Sequence, residues 1–560
     1  MNIAQLHEAI AAVIPQQPCI IFRDHSFTWQ QVTDRTRRLA NLLRQHGLGC
    51  HTEREQLENW QSGQDHLGLY LYNGNEYLEG ILGGFKARVA PFNVNYRYVE
   101  EELLYLFANA DAKAIIFHSQ FADRIAKIKP RLPQVKLWLQ VADESGNSLL
   151  EGALDYEAAL AAAAPTEPGT DLSGDDLYVV YTGGTTGMPK GVLWRQEDLF
   201  YSSLIKGNQK TTVAELVAEI KDHHKTKPAP VGLPSPPLMH ATAQWIAMSL
   251  WVMGGTVVIQ SKPQTLDPDD IWQCVATHKV NSLTIVGDAF AVPLLQQLDK
   301  QEYDLSSLRI LASGGAILSP AKKQALLDKL PHVTLLDALG SSETGTQASQ
   351  LLKKGQKVTT GDFAMKQGSV VLREDLSGLM PPGSDQCGWA AREGHVPLGY
   401  YKDEAKTRKT FPEIEGTRYA VPGDRAYCRP DGSMQLLGRD SVTINTGGEK
   451  VFAEEVEQAL KHHPDIYDVV VVGTPSERWG QQVTALVKLC ETHSEALEHL
   501  YDLEHQLRHT AKQHIAGYKV PKVFLFVDQI VRAPSGKPDY RWAKSTAEAL
   551  ISQSVGVASV

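Results

Sequence analysis

A short stretch that follows an apolar run combines the residue types that hold phosphate groups. Four glycines, three threonines and one lysine occur in YTGGTTGMPKG, from Tyr181 to Gly191. Glycine lets the backbone turn tightly and approach a ligand, and successive backbone N–H groups in such a turn form a concave anion site. Threonine hydroxyls and a lysine ammonium add further donors, so the stretch predicts a phosphate-binding loop. The candidate contacts are Thr182, Gly183, Gly184, Thr185, Thr186 and Lys190.

The loop differs from the P-loop of nucleoside triphosphatases at two positions. Lys190 follows Pro189 instead of a glycine, and Gly191 stands where the P-loop has Ser or Thr. A P-loop phosphotransferase, which would release ADP, is therefore disfavoured. For an isolated glycine-rich loop the alternative is a flexible surface connection, so other motifs must decide between the two.

Three segments place a turn of small residues between an apolar run and a helical pattern. DDLYVVYTGG precedes GVLWRQEDLFYSSLI, VNSLTIVGDA precedes FAVPLLQQL, and SLRILASGGAI precedes SPAKKQALLDKL. In the last of these, Ser319 and Pro320 are residue types that favour the N-cap and the first helical turn. Alternating strands and helices predict an α/β fold with parallel strands, whose ligands bind at the carboxyl ends of the strands.

Length and a change of pattern predict two domains. A chain of 560 residues exceeds the size at which one hydrophobic core stops growing. The elements become shorter from about Asp440, which predicts a large N-terminal domain of layered sheets and helices (residues 1–439) and a small α+β C-terminal domain (residues 440–560). The elements expected in the second domain are a helix in AEEVEQALKHH, strands in YDVVVVG, VTALVKL and KVFLFV, and a long polar helix in ALEHLYDLEHQLRHTAKQHI.

One further segment, VAELVAEIKDHHKTKPAP, predicts a helix followed by a polar linker. It contains two adjacent histidines, His223 and His224. They are either solvated loop residues, which is the simpler interpretation, or ligands of a metal ion.

Composition disfavours several classes of protein. The formal net charge of -10, from 55 Lys and Arg against 65 Asp and Glu, argues against a general nucleic-acid-binding protein. Six scattered cysteines without a CxxC pair predict reduced thiols in a cytoplasmic protein. The N-terminus has no basic region ahead of its apolar residues, and no apolar run is long enough to cross a bilayer. Neither a secretory signal nor a transmembrane helix is therefore expected.

Further motifs follow the phosphate loop in a fixed order. They are DALGSSETG, VPGDRAYCRPDGSMQLLGRDS, INTGGEKVFAEEVE, and APSGKPDYR with GYKVPK ahead of it. Together with YTGGTTGMPKG they resemble the signature motifs of the adenylate-forming superfamily, which includes acyl-CoA synthetases, aryl-CoA ligases, luciferases and peptide-synthetase adenylation domains. The resemblance covers nearly the whole chain, from KARVAPFNVNYRYVEEEL to Tyr540.

The resemblance implies roles for particular residues. Glu343 matches the glutamate that holds Mg²⁺, and Lys537 matches the catalytic lysine of the adenylation step. Leu339 stands where the family usually has an aromatic residue against adenine. The other implied nucleotide contacts are Gly315, Ala316, Asp337, Gly340 and Ser342, with Asp424 and Arg439 at the ribose. The glycines Gly447 and Gly448 match the segment that lines the pantetheine channel, and the hinge falls at Ser441 or its neighbour Asp440.

The implied chemistry has two half-reactions. A carboxylate and ATP give an acyl-adenylate and pyrophosphate with the help of Mg²⁺, and a thiol, expected to be coenzyme A, then releases AMP. In the resembled enzymes the C-terminal domain is mobile, so that the lysine matching Lys537 serves the first step and the TGGEK side serves the second. Dimers are common among them, and the sequence leaves the oligomeric state open.

The acid itself is indicated by the residues expected around it. Amino-acid-activating domains carry an aspartate where PLMHATAQW has His240, so an amino acid is disfavoured. His240 is a candidate for gating the pocket, and the alternative is a packed histidine. The other wall candidates are small or apolar and fit an apolar acid: Trp245, Val286, Gly287, Ala289 and Ala316, with Asp288 as the polar exception. The finer resemblance is to bacterial enzymes for fatty acids or sterol side-chain acids.

Three alternative functions remain open at this point. An acyl-adenylate ligase would pass its acyl group to a carrier protein, although no carrier domain is visible. A catalytically silent nucleotide sensor would be expected to have lost Lys537, Glu343 or Lys190, and all three are present. A luciferase-like monooxygenase has no supporting feature in the sequence.

Overall fold

The computed structural model describes residues 1–182, 188–205, 211–356, 358, 362–439, 442–446, 449–476, 480–490, 497–533 and 536–557. The helices in these ranges are α1 (Ile3–Val13), α2 (Trp29–Gln45), α3 (Asn75–Lys86), α4 (Glu100–Asn109), α5 (Ala122–Ile128), α6 (Tyr156–Ala162), α7 (Gln196–Leu199), α8 (Val213–Thr226), α9 (Ala241–Val252), α10 (Pro268–Thr277), α11 (Gly287–Lys300), α12 (Pro320–Lys329), α13 (Glu404–Thr410), α14 (Ala453–Leu460), α15 (Leu497–His514) and α16 (Tyr540–Val557).

The strands are numbered in chain order in the same way. They are β1 (Pro18–Phe22), β2 (His25–Thr28), β3 (His66–Tyr70), β4 (Ala90–Asn93), β5 (Ala112–His118), β6 (Leu137–Val141), β7 (Leu154–Asp155), β8 (Leu177–Thr182), β9 (Lys190–Arg195), β10 (Val231–Pro234), β11 (Thr256–Ile259), β12 (Ser282–Ile285), β13 (Ile310–Gly314), β14 (Thr334–Ser341), β15 (Gly345–Leu352), β16 (Asp362–Met365), β17 (Ser369–Leu372), β18 (Gly388–Glu393), β19 (Gly399–Tyr400), β20 (Glu413–Ile414), β21 (Thr417–Ala420), β22 (Asp424–Cys428), β23 (Met434–Arg439), β24 (Thr443–Thr446), β25 (Glu449–Phe452), β26 (Ile466–Ser476), β27 (Gly480–Leu489) and β28 (Val523–Phe526).

Two extended sheets form the layers of the N-terminal part. The larger has the order β2-β1-β11-β10-β12-β13-β14-β15-β16-β23-β22-β18-β21-β20, with β17 beside β18, and the other has the order β19-β9-β8-β4-β3-β5-β6-β7. The run β1-β11-β10-β12-β13-β14 is parallel, as is the run from β8 to β7. Strands such as β3, β4 and β11 are buried along their whole length, as expected for parallel strands covered on both faces. The α/β prediction is confirmed.

The segment after the phosphate loop differs from the prediction of a helix. Its first part, GVLWR, continues from Lys190 as β9, which pairs antiparallel with β8. Val192, Leu193 and Trp194 are all buried, because β-branched and aromatic residues here fill both faces of a sheet. The helix begins only at Gln196, so the phosphate loop joins two strands of one hairpin.

The C-terminal part, from Thr443 onward, has a sheet of its own. Its order is β25-β24-β27-β26, with β28 beside β27. The predicted helix in AEEVEQALKHH is α14, the three predicted strands are β26, β27 and β28, and the long polar helix is α15. The hairpin β24–β25 and the last helix, α16, were not predicted. A separate apolar cluster, built from α14, α15 and the inner strands, fills the core of this part.

The remaining expectations concern thiols and membrane spans. All six cysteines are free thiols. Among the described residues, no helix combines the length and the apolar character that a bilayer crossing requires.

Candidate active site

A cavity of about 850 Å³ lies at the carboxyl ends of the parallel strands. Thr182 ends β8, Val286 and Gly315 follow β12 and β13, and Gly340 lies near the end of β14. The strands of both large sheets therefore deliver residues to one place. This position is the one at which parallel α/β sheets bind their ligands.

The cavity gathers residues from distant parts of the sequence. The predicted site residues that line it are Thr182, His240, Gly315, Leu339, Gly340, Ser342 and Lys537. The predicted wall residues Trp245 and Val286 line it as well, whereas Gly287, Ala289 and Ala316 are not among its lining residues. The C-terminal part thus contributes Lys537 to a cavity that is otherwise built by the N-terminal part.

A tight turn in the C-terminal part presents Lys537. The N–H of Ala533 donates to the carbonyl of Lys537 at 2.8 Å, and the N–H of Gly536 donates to the carbonyl of Ala533 at 2.8 Å. Gly536 has φ +73°, a conformation that favours glycine. The turn is also close-fitting, because a Cβ atom on Gly536 would lie 3.0 Å from Cγ1 of Val286.

His240 faces this lysine as a neutral imidazole. Burial, together with the positive charges of Lys537 and Arg97, lowers the pKa of His240 to about 4. Its Nε2 atom is buried and has no hydrogen-bond partner in the described structure. Buried polar atoms are nearly always paired, so this atom is available to a ligand in the cavity.

Glu343 and Lys190 lie beside the cavity, and they are held by β19 and by the residues just after it, respectively. The hydroxyl of Tyr400 donates to Oε1 of Glu343 at 2.8 Å. Lys190 forms an ion pair with Asp403, and it is also the cross-strand neighbour of Thr182 in the β8–β9 hairpin. Although burial alone would raise the pKa of Asp403, the hydrogen bond from Lys190 lowers it.

Asp337 points away from the cavity. Its carboxylate pairs with Nζ of Lys323 at 2.7 Å, and both side chains are buried. The reason is the alternation of β14: Leu336, Ala338 and Gly340 line the cavity, so Asp337 lies on the opposite face toward α12. Its predicted contact with the nucleotide stays a prediction, and in this structure its partner is Lys323.

The side chains of the expected ribose contacts lie outside the cavity lining or outside the described residues. Asp424 is buried on β22, opposite Arg439 of β23 in the strand register. The predicted contacts that fall outside the described residues are Gly183, Gly184, Thr185, Thr186, Gly447 and Gly448, with the hinge candidates Asp440 and Ser441 and the side chain of Arg439.

An arm of the cavity between α8 and α9 was not predicted. From α8 it is lined by Leu216, Glu219, Ile220 and His223, which recur with helical spacing on one face. The amphipathic pattern of VAELVAEIKDHH could have indicated such a face, because a surface helix directs its apolar stripe inward.

The two adjacent histidines belong to the last turns of α8 and not to a loop. Nε2 of His223 donates to the carbonyl of Pro228 at 3.1 Å, and Nε2 of His224 donates to the carbonyl of Gly254 at 3.0 Å. Within the part of the chain that the structure describes, no cluster of three or more His, Cys, Asp or Glu residues could hold a metal ion.

A lysine from the C-terminal part lines a cavity beside a glycine-rich hairpin and a carboxylate, which is the arrangement expected of an adenylate-forming enzyme. The family model described as AMP-binding enzyme matches residues 7–385, and the model described as AMP-binding enzyme C-terminal domain matches residues 455–537. The chain belongs to the AMP-binding enzyme family, which confirms the family predicted from the motifs.

Similar proteins cover almost the whole chain. The medium-chain acyl-CoA ligase Mig of Mycobacterium avium is 49% identical over 545 residues, which is 96% of this chain and 97% of the relative. The 3-oxocholest-4-en-26-oate–CoA ligase of Rhodococcus rhodochrous is 40% identical over 554 residues, which is 97% of this chain and 95% of the relative.

Solved structures share the fold at low sequence identity. The anthranilate CoA ligase AuaEII in complex with anthranoyl-AMP has a TM-score of 0.81 at 19% identity and covers 99% of this chain and 98% of its own. ATP-bound MatB from Rhodopseudomonas palustris has a TM-score of 0.77 at 22% identity and covers 98% of this chain and 100% of its own. The layered N-terminal sheets and the smaller C-terminal unit are therefore an established architecture.

Proposed function

We infer that the protein is an AMP-forming acyl-CoA synthetase, an ATP-dependent acid–thiol ligase. It converts a carboxylic acid and ATP into an acyl-adenylate and then transfers the acyl group to coenzyme A. The observation that carries this inference is the meeting of Lys537 with Thr182 and His240 in one cavity. The near full-length similarity to acyl-CoA ligases supports the same activity.

We propose that Lys537 is the catalytic residue of the adenylation step. This step brings the acid carboxylate against the α-phosphate of ATP, and an ammonium between the two anions stabilises their approach. The loss of one such preorganised group typically costs about 10² to 10³ in rate. The neutral His240 on the opposite side adds no second positive charge, and its free Nε2 can contact the acid or the adenylate.

The nucleotide is proposed to lie along the strand ends. Leu339 and Gly340 cover the adenine, because an irregularity in the pairing of β14 with β15 at these residues brings both into the cavity lining. Thr182 and Lys190 hold the phosphates, together with the hydroxyls and backbone of the loop between them. Asp424 and Arg439 are proposed to contact the ribose.

A magnesium ion fits the donors beside the phosphate loop. Mg²⁺ prefers oxygen ligands and is usually held by one or two carboxylates together with waters and substrate phosphates. We propose that Glu343 supplies the carboxylate, since Tyr400 fixes the orientation of its Oε1 atom. When bound, the ion neutralises charge on the phosphate oxygens.

The second half-reaction is proposed to need another arrangement of the C-terminal domain. The domains of this proposal are residues 1–439 and 440–560, with the hinge at Asp440 or Ser441. In this structure Lys537 lines the cavity. Rotation about the hinge would withdraw it and bring Gly447 and Gly448 to the path of the pantetheine arm, so that the thiol can attack the acyl-adenylate.

The proposed acid is apolar and of medium to large size. The relatives act on medium-chain acyl groups and on a sterol side-chain acid, by their names. The cavity arm between α8 and α9 has an apolar wall of Leu216, Ile220 and Trp245 that suits such a chain. A cytoplasmic location is proposed, in keeping with six free thiols. Homodimerisation stays a prediction from the resemblance.

The function is tested with a panel of carboxylic acids in two assays on the full chain. Acid-dependent exchange of pyrophosphate into ATP measures adenylation, and AMP release with coenzyme A measures the whole reaction. We expect both for apolar acids, and we expect Lys537→Ala to abolish exchange while thioester formation from a supplied acyl-adenylate persists. Thioester formed only on a carrier protein would indicate the carrier-loading alternative, and no exchange with any acid would indicate a nucleotide sensor.

A further inference from the structure

An ion pair joins the two parts of the chain next to the cavity. Oδ2 of Asp288 lies 3.0 Å from Nζ of Lys461, and only 13% and 10% of the two side chains are exposed. Asp288 is the second residue of α11 in the N-terminal part, two positions after the cavity residue Val286, and Lys461 follows α14 in the C-terminal part. The polar exception among the predicted wall residues therefore faces the C-terminal part.

The carboxylate of Asp288 is held in place by contacts within the N-terminal part, independently of Lys461. Its other oxygen, Oδ1, accepts a hydrogen bond of 2.8 Å from the N–H of Ser319. Its position in the first turn of α11 also favours a negative charge, because the N-terminus of a helix carries partial positive charge. The N-terminal part thus presents a nearly buried carboxylate, held in a fixed orientation, at its contact with the C-terminal part.

The position of Lys461 on its helix likewise favours its charge. It caps the carboxyl end of α14, where a cation is favoured. Burial alone would lower the pKa of Lys461, but Asp288 and Asp468 raise it above its ordinary value. The lysine is therefore charged in this arrangement, and separating it from Asp288 would leave a nearly buried charge without its main partner.

A short chain of contacts links this ion pair to the turn that carries the catalytic lysine. Nζ of Lys461 lies 3.6 Å from Oδ1 of Asp468. The two carboxylate oxygens of Asp468 accept hydrogen bonds of 2.7 and 2.6 Å from the guanidinium of Arg532. Arg532 in turn donates to the carbonyl of Gly536 at 2.9 Å. Gly536 precedes Lys537 directly, so the ionic contacts end at the residue proposed to act on the acid and ATP.

We propose that Asp288 and Lys461 form a docking latch that holds the C-terminal part in the adenylation arrangement, with Asp468 and Arg532 transmitting that position to Lys537. All four are positioning residues, since none of them lines the cavity. The ion pair must separate before the C-terminal part can rotate and bring Gly447 and Gly448 to the cavity for the thioester step. This inference rests on the proposed two-step function.

If the latch exists, breaking it should reduce the rate of adenylation without reducing the rate of thioester formation. Asp288→Asn keeps the shape of the side chain and its acceptor for Ser319, but it removes the charge that holds Lys461. We expect the kcat of acid-dependent pyrophosphate exchange to fall about tenfold to a hundredfold, with little change in the KM for ATP, because a small displacement of a reacting group is enough for such a loss. Thioester formation from a supplied acyl-adenylate should be unchanged or faster.

Two further variants make the test specific. Lys461→Met should give the same pattern, and the double variant should lose no more than the worse single variant, because both changes remove one shared contact. Glu504→Gln is the matched control: it also converts a carboxylate into an amide in the C-terminal part, but this carboxylate pairs with Arg508 of the same helix. The control should leave both half-reactions intact.

Each outcome bears on either the latch or the function. Retained thioester formation by Asp288→Asn shows that the variant is folded, so a selective loss of exchange supports the latch. Equal loss of both half-reactions, additive losses in the double variant, or full exchange activity in Asp288→Asn would overturn it. If Lys537→Ala, assayed beside these variants, kept its exchange activity, the proposed role of Lys537 would fail whatever Asp288→Asn did.

Discussion

Tyr400 donates a hydrogen bond of 2.8 Å to Oε1 of Glu343, across 57 positions of sequence. Tyr400 belongs to β19, which pairs with β9 next to the phosphate loop, through Val192. The proposed magnesium ligand is therefore oriented by the strand that pairs with the hairpin carrying Lys190. Neighbouring strands of one sheet therefore carry the residues of both proposed sites, for the cation and for the phosphates.

Removing this hydroxyl should weaken the magnesium affinity of the enzyme and so raise the Mg²⁺ concentration that it requires. In Tyr400→Phe the carboxylate of Glu343 loses its fixed orientation, and the loss of such a partner typically costs about tenfold or more in metal affinity. We expect the Mg²⁺ concentration for half-maximal exchange to rise by that factor at saturating ATP. Tyr401→Phe, which removes a hydroxyl bound to Asp111, is the control and should keep the parent value.

The ion pair between Lys190 and Asp403 predicts a change in ATP affinity. ATP phosphates must compete with Asp403 for the lysine, so Asp403→Asn should lower the KM for ATP about twofold to fivefold, the range of a partly exposed ion pair. Asparagine can still cap α13, which keeps the helix in place. Asp111→Asn, which removes the partner of the neighbouring Lys402, should leave the KM unchanged. A higher KM in Asp403→Asn would mean that Asp403 orients Lys190 for ATP instead of competing with it.

The arm between α8 and α9 should set the length of the acid. Ile220 is buried on the cavity face of α8, so Ile220→Trp would fill the arm. We expect the KM for long acids to rise about tenfold or more, the usual cost of overpacking, while short acids are unaffected. Ala218→Trp introduces the same side chain on the exposed face of this helix and should not change the profile. Equal losses for acids of every length in Ile220→Trp would show that the acid lies elsewhere.

Residue type and spacing were enough to name several of the residues that line the cavity. The strand-end glycines, His240 and Lys537 were located by motif, and they meet in one cavity. Contacts between distant segments could not be predicted, because no spacing connects Tyr400 with Glu343 or Asp288 with Lys461. The buried ion pair of Asp337 could not be predicted for a related reason: its position in the motif is informative, but the alternation of β14 decides which face it occupies.

A buried carboxyl in the C-terminal part makes its stability depend on pH. Burial raises the pKa of Glu457 to about 8, and its Oε1 atom accepts a hydrogen bond of 2.9 Å from the N–H of Val471. The unfolded chain releases this proton near pH 4.5, the ordinary pKa of a glutamate, whereas the folded chain keeps it up to about pH 8. Between these values the folded state binds more protons, so its stability falls as the pH rises, by about 1.4 kcal/mol for each pH unit.

Glu457→Gln should remove this decline, because glutamine keeps the acceptor for Val471 and has no proton to lose. We expect the variant and the parent to unfold at similar temperatures near pH 5, and the variant to unfold at a higher temperature at pH 8, when calorimetric scans of the full chain are compared. Glu455→Gln is the control, since Glu455 pairs with Lys519 at 2.7 Å and should leave the pH dependence of the parent intact. A parallel fall of parent and Glu457→Gln between pH 5 and pH 8 would show that Glu457 is already ionised in the folded protein, and that Tyr540, 3.3 Å from its Oε1 atom, stabilises a buried charge.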